Sequence, residues 1–289
     1  MLFDKFQTMA DFQAELEERQ VKPFGAVTTE ILSSTEGIVE GRRVILAGTN
    51  NYMGLSYHPR CIKAAQDAAE RWGTGTTGSR LANGSFAEHQ ALEDEIAAFY
   101  GVSNAIVFST GYAATMGMCA TLAGPGDVIL LDADSHASIY SGVKLSGAEV
   151  IRFKHSNPDD LAKRMRRLGD RASQALIIAE GIYSMLGDVA PLQEIAEIKR
   201  EYGGYLLVDE AHSMGVLGES GRGAAQAAGI ESDVDFIVGT FSKSLGSIGG
   251  FCVSPHRELE AIRFCITAYI FTASSSPSII ASTREALRI

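Results

Sequence analysis

One lysine of this 289-residue chain lies where a ligand could meet it. Lys243 stands between Ser242 and Ser244, directly after the apolar run 236–238 and directly before the glycine-rich run 245–250. A short strand followed by hydroxyl residues and a glycine-rich turn places these side chains at a strand end, where open α/β sheets bind ligands. A lysine partly desolvated there has a lowered pKa and can form a Schiff base with an aldehyde. Taken alone, the motif fits a solvated surface lysine better than a lysine that forms a Schiff base.

A carboxylate and a histidine follow another predicted strand. Asp209 ends the apolar run 206–208, and His212 comes three residues later. A carboxylate in that place can hold a heterocyclic nitrogen protonated while the histidine reaches a neighbouring oxygen. The same pair would suit a metal ion, but no third ligand stands at helical spacing. The sequence therefore predicts no metal site.

Three further strand ends carry polar residues. Gly111, in the segment 109–113, precedes a predicted helix whose free N–H groups and dipole would bind a phosphate at close approach. His136, in the segment 132–138, could stack on a planar ring or act as an acid or base, although a helix cap with an incidental histidine explains this segment equally well. The last is the segment 180–188. Function is expected where these ends meet.

The elements that must position these residues alternate along the chain. Apolar runs without period-two alternation, separated by helical patterns, predict an α/β fold with a mainly parallel sheet covered on both faces. The runs are 105–108, 128–131, 150–153, 176–179, 206–208 and 236–238. Helices are predicted over 9–20, 58–72, 88–100 and 114–122, and a hairpin over 37–48.

Composition narrows the function classes. A formal net charge of -10 and a pI near 5.1 argue against nucleic acid as the main partner. A basic cluster between residues 163 and 171 is interpreted as a solvated helix face. The four cysteines have no CxxC spacing, which is typical of a reducing compartment. No run approaches the roughly 18 apolar residues that a membrane span needs. We therefore expect a cytoplasmic protein without an integral membrane segment.

The loop 73–80 consists of glycine, hydroxyl residues and a terminal Arg80. Such a loop lets backbone approach a ligand closely, and Arg80 could pair with a carboxylate or phosphate. It lacks the GK[ST] ending of a P-loop and does not follow a strand. Near the start of the chain, the polar segment 49–55 could line a site or simply form a turn, and the turn is favoured.

Together, a Schiff-base lysine, a carboxylate for a pyridinium nitrogen, a helix start for phosphate and a histidine for the ring are what pyridoxal 5'-phosphate (PLP) needs. The segments 109–112, 134–138, 209–213 and 239–244 closely resemble those of the α-oxoamine synthases. These are fold-type I PLP enzymes that condense an amino acid with an acyl-CoA. The resemblance covers essentially the whole chain and implies a mainly parallel seven-stranded sheet between layers of helices.

The resemblance also implies roles for individual residues. Lys243 would form the Schiff base with PLP, and Asp209 would pair with the pyridine nitrogen. His136 would stack on the ring and help to place the substrate carboxylate, and His212 would contact the ring 3-oxygen. The predicted catalytic residues are therefore Lys243, His136 and Asp209.

The remaining predicted contacts concern the phosphate and the substrate. Those around the phosphate are Gly111, Tyr112, Thr240 and Ser242. Thr272 would contact the phosphate bound by a partner subunit, which implies a homodimer with shared active sites. Those for the substrate are Asn51, Arg80 and Ser184.

The segments 73–85 and 180–191 resemble the family member that uses L-serine and a long-chain acyl-CoA, palmitoyl-CoA, to make 3-ketosphinganine for sphingolipid synthesis. Alternatives are members that use glycine or alanine, or a non-catalytic subunit, which would lack Lys243. By resemblance, residues 1–40 are an N-terminal arm and 41–272 a large PLP-binding domain. Residues 273–289 would lead into a small C-terminal domain that family members carry, so we expect the sequence to be a fragment.

Overall fold

The computed structural model describes residues 1–22 and 25–289. Pro23 and Phe24, in the predicted N-terminal arm, lie outside the described residues. The chain forms two compact units, Met1–Thr49 and Asn50–Ile289. The boundaries predicted at residues 40 and 272 stay predictions.

The first unit contains one helix and a small antiparallel sheet. The helix α1 is Gln7–Glu18, and the strands are β1 (Thr28–Ile31), β2 (Glu36–Val39) and β3 (Arg42–Ile45), in the order β1-β2-β3. The predicted hairpin is confirmed as β2 and β3. Glu40 and Gly41 connect them with φ of 48° and 76°, since a two-residue hairpin turn with the right-handed twist of the strands needs positive φ at both positions.

The second unit is built on a seven-stranded sheet with the order β4-β10-β9-β8-β7-β5-β6. Its strands are β4 (Asn104–Phe108), β5 (Val128–Asp132), β6 (Glu149–Phe153), β7 (Leu176–Glu180), β8 (Tyr205–Asp209), β9 (Phe236–Thr240) and β10 (Gly250–Ser254). All six predicted runs are strands. Sequence reasoning missed β10, which runs antiparallel to both of its neighbours, β4 and β9, because it begins inside the glycine-rich run.

Helices cover this sheet. They are α2 (Pro59–Trp72), α3 (Ala87–Tyr100), α4 (Gly111–Leu122), α5 (Ala137–Ser146), α6 (Pro158–Leu168), α7 (Leu192–Tyr202), α8 (Ala224–Ala227), α9 (Leu259–Ile262), α10 (Thr267–Ile270) and α11 (Pro277–Arg288). Within the described part of the chain, none of the helices is long and apolar enough to cross a membrane.

The core has two halves, one on each face of the large sheet. Successive side chains of a strand point to opposite faces. Strand β5 therefore sends Leu130 into the cluster that includes α3, α6 and α7, and Ile129 and Leu131 into the cluster that includes α4 and α5. All three side chains are fully buried. Burial on both faces explains why the strands read as continuous apolar runs.

The parallel strands β4, β5, β7, β8 and β9 end at the same edge of the sheet, and β10 begins there. A close contact joins β10 to α4 at this edge, since a Cβ on Gly250 would lie 2.6 Å from Gly111 Cα. Only glycine at position 250 lets the start of β10 pass beneath the first turn of α4. The fold thus brings the predicted polar strand ends together.

Candidate active site

A cavity of about 290 Å³ lies at this edge. Eight of the predicted site residues line it: Gly111, Tyr112, His136, Asp209, His212, Thr240, Ser242 and Lys243. They come from the ends of β4, β5, β8 and β9 and the segments that follow. The parallel arrangement therefore collects groups that are far apart along the chain.

Lys243 begins a chain of hydrogen bonds that reaches out of the cavity. Its Nζ lies 2.7 Å from His212 Nε2, and His212 Nδ1 lies 2.7 Å from Tyr52 Oη. Burial lowers the pKa of Lys243, although the carboxyl groups of Asp209 and Glu180 oppose the shift. Burial and then the charges of Lys243 and His136 lower the pKa of His212 to about 4. His212 is therefore neutral near pH 7, where it accepts from Lys243 at Nε2 and donates to Tyr52 from Nδ1.

Asp209 lies at the bottom of the cavity with its side chain buried. Its Oδ1 accepts a hydrogen bond from the Ala211 N–H at 3.0 Å, and its Oδ2 accepts one from Thr115 Oγ1 at 3.1 Å. Burial raises the pKa of Asp209, despite these donors and the charge of Lys243. A buried carboxylate stays charged only beside a cation. The arrangement therefore fits a protonated heterocyclic nitrogen.

The first turn of α4 and the end of β9 form a cradle of small and hydroxyl groups. Thr110 caps α4 by accepting from the Ala113 N–H at 3.0 Å, and Thr240 Oγ1 lies 2.7 Å from Ser242 Oγ. A Cβ on Gly111 would lie 2.6 Å from Thr240 Cβ, so the two segments approach closely only because residue 111 is glycine. N–H groups at a helix start, with adjacent hydroxyls, fit a phosphate.

His136 caps α5 at the side of the cavity. Its Nδ1 lies 2.7 Å from Ser138 Oγ and accepts from the Ser138 N–H at 3.2 Å. Its own backbone N–H donates to Glu180 Oε1 at 2.5 Å. The backbone of His136 is thus fixed to the end of β7, which sets where its ring meets the cavity.

Glu180 is a cavity residue to which sequence reasoning gave no role. It ends β7, pairs in register with Asp209 on β8, and is only 3% exposed. Burial and then the Asp209 charge raise the pKa of Glu180 to about 8. The sequence signal was available, because Glu180 and Asp209 end predicted strands in the same way. Register between parallel strands makes two buried acids neighbours, and the raised pKa keeps Glu180 protonated near pH 7.

The pH dependence of stability tests this assignment. The folded state holds the Glu180 proton more tightly than the unfolded chain, where the pKa of this group is near 4.5, so the contribution of Glu180 to stability falls as pH rises from 4.5 through about 8. Glu180→Gln has no such proton. We expect it to raise the melting temperature of the cofactor-free protein by on the order of 5 °C above pH 8, and not below pH 4.5.

Differential scanning fluorimetry across this pH range measures the effect. Glu197→Gln, at an exposed position in the middle of α7, is the matched control and should leave the melting temperature unchanged. A melting-temperature difference for Glu180→Gln that does not vary with pH would show that Glu180 is not protonated in the folded protein.

Two of the predicted substrate residues contact other parts of the protein. Arg80 makes a buried two-point ion pair with Glu93, at 2.9 and 3.0 Å, and its Nε donates to Ser85 Oγ. It borders a different cavity of about 490 Å³. The Asn51 side chain donates to Ser56 Oγ at 2.7 Å and accepts from the Ser56 N–H at 3.2 Å, as expected if the segment 49–55 forms a turn. The structure does not bring these two residues into the cavity of Lys243.

Ser184 and Thr272 also lie outside that cavity. Ser184 is exposed and borders an adjoining cavity of about 540 Å³, which His212 and Tyr52 line as well. Thr272 is exposed and borders a small space near Ser109. Among the described residues, no group of histidine, cysteine and acidic side chains could hold a metal ion.

The chain belongs to the class I and II aminotransferase family, which residues 42–289 match. It is 59% identical over 287 residues to the serine palmitoyltransferase of Caulobacter vibrioides, a match that covers 99% of this chain and 71% of that protein. The family expected from the motifs is confirmed. More distant relatives include an 8-amino-7-oxononanoate synthase from Pelobacter propionicus, 40% identical over 96% of this chain and 71% of that protein.

Solved structures show the same fold. A serine palmitoyltransferase from Sphingomonas wittichii is 50% identical, with a TM-score of 0.96 over all of this chain and 72% of that one. A serine palmitoyltransferase solved at high resolution with a PLP internal aldimine is 47% identical, with a TM-score of 0.97 over the same shares. The predicted fold-type I α/β architecture, with its mainly parallel seven-stranded sheet, is therefore confirmed.

Proposed function

We propose that the protein is a PLP-dependent acyltransferase that condenses L-serine with a long-chain acyl-CoA, palmitoyl-CoA, and releases CO2 and CoA to give 3-ketosphinganine. This is the activity of a serine palmitoyltransferase. The observation that carries the proposal is the 59% identity to a serine palmitoyltransferase over 99% of the chain. The cavity alone fits PLP chemistry on any amino acid. The comparison therefore supports serine as the substrate, and the site itself supports PLP as the cofactor.

The residues present fit PLP. Lys243 would hold its aldehyde carbon, Asp209 its ring nitrogen, and the start of α4 with Thr240 and Ser242 its phosphate. His136 would cover the ring and His212 would reach its 3-oxygen. When bound, PLP supplies an electron sink for the negative charge that develops at the amino acid Cα.

The chain itself supplies proton transfer and orientation. The pKa of Lys243 is lowered, so a larger fraction of its Nζ is neutral and able to take the Cα proton of serine. His212 lies 2.7 Å from this Nζ and orients it. Asp209, placed where only a cation relieves its buried charge, would hold a proton on the ring nitrogen of the bound cofactor. A thioester substrate already carries a good leaving group, so orientation is the main further requirement.

Several finer assignments belong to the same proposal. Ser184 is the best supported of the three substrate residues, since it borders the cavity adjoining the Lys243 cavity. Asn51 and Arg80 are retained as substrate contacts on resemblance alone. A homodimer that shares Thr272 across its sites, and a cytoplasmic location, complete the proposal, and the free state of all four cysteines supports that location.

The nearest alternative is a family member that uses glycine or alanine, such as 5-aminolevulinate synthase, 2-amino-3-ketobutyrate CoA ligase or 8-amino-7-oxononanoate synthase. The 40% identity to 8-amino-7-oxononanoate synthase favours this alternative less than the 59% identity favours serine. A non-catalytic subunit is the other alternative. Lys243 lies in the cavity together with the residues predicted to contact the ring and the phosphate, which argues against a non-catalytic subunit.

Amino acid titrations distinguish the proposed function from these alternatives. Purified protein with PLP is titrated with L-serine, glycine and L-alanine while its absorbance spectrum is recorded, and palmitoyl-CoA is then added while free CoA thiol is measured. We expect L-serine to change the spectrum at the lowest concentration and to support thiol release and 3-ketosphinganine formation, identified by mass spectrometry. A preference for glycine or alanine in both steps would replace serine as the substrate.

A further inference from the structure

His155 lies between two loops at the edge of the active site, outside the cavity. It follows β6, and its ring lies between Asp132, the last residue of β5, and Asp188, in the loop after β7. Its Nδ1 is 2.8 Å from Asp132 Oδ1, and its Nε2 is 2.9 Å from Asp188 Oδ2. We call this arrangement of His155, Asp132 and Asp188 the His155 bridge.

The geometry of the bridge fixes the charge of the ring. An ionised carboxylate accepts hydrogen bonds and donates none, and a neutral imidazole has only one N–H. A neutral ring would therefore point a lone pair at one of the two carboxylate oxygens. Only the imidazolium, with an N–H on each nitrogen, satisfies both distances, and it also offsets the two negative charges.

Ser156, whose backbone is strained, donates hydrogen bonds to the same two carboxylates. It is one of few described residues other than glycine with positive φ, at 48°. Its N–H donates to Asp132 Oδ2 at 2.9 Å, and its Oγ donates to Asp188 Oδ2 at 3.1 Å. Strained backbone persists only where surrounding contacts over-determine it. The strain here lies where the chain crosses between the two carboxylates.

Each of the two loops joined by the bridge carries a residue of the proposed active site, His136 in one and Ser184 in the other. Asp132 Oδ1 also accepts from the Asp134 N–H at 2.9 Å, which shapes the turn that leads to His136. On the other side, the Tyr183 N–H donates to the Asp188 carbonyl at 3.0 Å, which closes the loop that carries Ser184. The Tyr183 ring, 2% exposed, meets the His155 ring edge-on with 4.5 Å between centroids.

We propose that His155 is a positioning residue: as an imidazolium it ties the turn that places His136 to the loop after β7, and so holds His136 in the geometry that the cofactor requires. The role at the cofactor rests on the proposed function. The charge state and the bridge rest on this chain's geometry alone.

The bridge makes cofactor binding sensitive to pH. The charged or titratable groups that face the ring are Asp132, Asp134 at 3.9 Å, Asp188 and Tyr183. Partial burial alone would lower the pKa of His155, but the hydrogen bonds and charges of Asp132 and Asp188 outweigh it, and the net shift is upward. Stabilisation by the bridge is thus complete below the pKa of an unfolded histidine, about 6.5, and is lost as pH rises through the folded value.

The charge state is measured directly by NMR of cofactor-free protein with ¹⁵N-labelled histidine. The chain has six histidines, and the His155 signals are assigned by their loss in His155→Gln. At pH 7 we expect both ring nitrogens of His155 to be protonated. A single protonated nitrogen at pH 7 would overturn the proposal, whatever the activity of the protein.

PLP affinity tests the positioning role in three variants. His155→Gln is uncharged, and its single amide nitrogen cannot occupy both ring-nitrogen positions that face Asp132 and Asp188. We expect its PLP dissociation constant to rise roughly tenfold at pH 7. Asp188→Asn lets a neutral ring accept at Nε2 and donate to Asp132, so the bridge survives. We expect the PLP dissociation constant of Asp188→Asn at pH 7 to stay within about twofold of wild type. From pH 7 to pH 9, the dissociation constant of wild type should rise relative to that of Asp188→Asn. His256→Gln, which removes a histidine 2.8 Å from Asp235 at the other end of β9, is the control.

Wild-type PLP affinity in His155→Gln, with circular dichroism showing a folded protein, would overturn the proposal. A constant ratio between wild type and Asp188→Asn across this pH range would overturn it as well, and this test does not depend on the stability of His155→Gln. If PLP binds and the bridge behaves as expected but serine and palmitoyl-CoA give no product, the proposed function fails while the bridge stands.

Discussion

Replacement of Lys243 by alanine is expected to abolish covalent capture of PLP and to lower serine-dependent CoA release by at least about 10³-fold. Lys243 is the lysine that lines the cavity, and its Nζ lies 2.7 Å from His212 in a buried setting that lowers its pKa. No neighbouring group can replace it as both the amine that holds the aldehyde and the base at Cα. Borohydride reduction followed by intact-protein and peptide mass spectrometry measures the capture.

The matched control for this variant is Lys144→Ala, which removes an exposed lysine in the last turn of α5. We expect it to capture PLP at wild-type stoichiometry. Lys243→Ala should remain folded, because the buried site disfavours the charged form of Lys243. Reduction that still attaches one PLP per chain in Lys243→Ala would place the cofactor lysine elsewhere.

Replacement of Asp209 by asparagine is expected to lower the rate of Cα-proton exchange of serine by roughly 10²- to 10³-fold. Asparagine keeps the shape and the contacts with Thr115 and Ala211 but cannot hold a proton on a heterocyclic nitrogen. Loss of deuterium from Cα-deuterated serine, followed by NMR with PLP present, measures the step without acyl-CoA. Thr115→Val, which removes only one hydrogen bond to Asp209, should have a much smaller effect.

The stability of Asp209→Asn separates a functional carboxylate from a structural one. Burial raises the pKa of Asp209, so its ionised form destabilises the cofactor-free fold near pH 7. We expect Asp209→Asn without cofactor to unfold at the same temperature as wild type or higher. Lower stability with undiminished proton exchange would mean that Asp209 serves packing alone.

Much of this site could be predicted because its chemistry is local in the chain. The order of a hydroxyl, Lys243 and a glycine-rich run, or of Asp209 and His212 after an apolar run, is visible in short segments. A doubly covered parallel sheet requires apolar residues on both faces, so continuous runs predicted six of its seven strands. Parallel topology then implied that the strand ends meet.

Three features could not be predicted, because they depend on register and direction between distant segments. The sequence marks Glu180 as an acid at a strand end, but its position beside Asp209 is set only by the pairing of β7 with β8. Arg80 stays a predicted substrate residue, and its buried ion pair with Glu93 of α3 is not marked in either segment. The antiparallel direction of β10 is set by its pairing with β4 and β9 and is not marked in its own sequence.

The sequence by itself determined which chemical groups this protein carries at its strand ends and the alternating pattern that brings those ends to one edge, since both follow from residue type and short-range periodicity. The tertiary structure alone decided which of those groups are neighbours and how they are charged. Burial and proximity shift the proton affinities of Glu180, His212 and Lys243, and both arise only when remote segments pack together. The His155 bridge is of the same kind, because Asp132 ends β5 while Asp188 lies in the loop after β7, far along the chain.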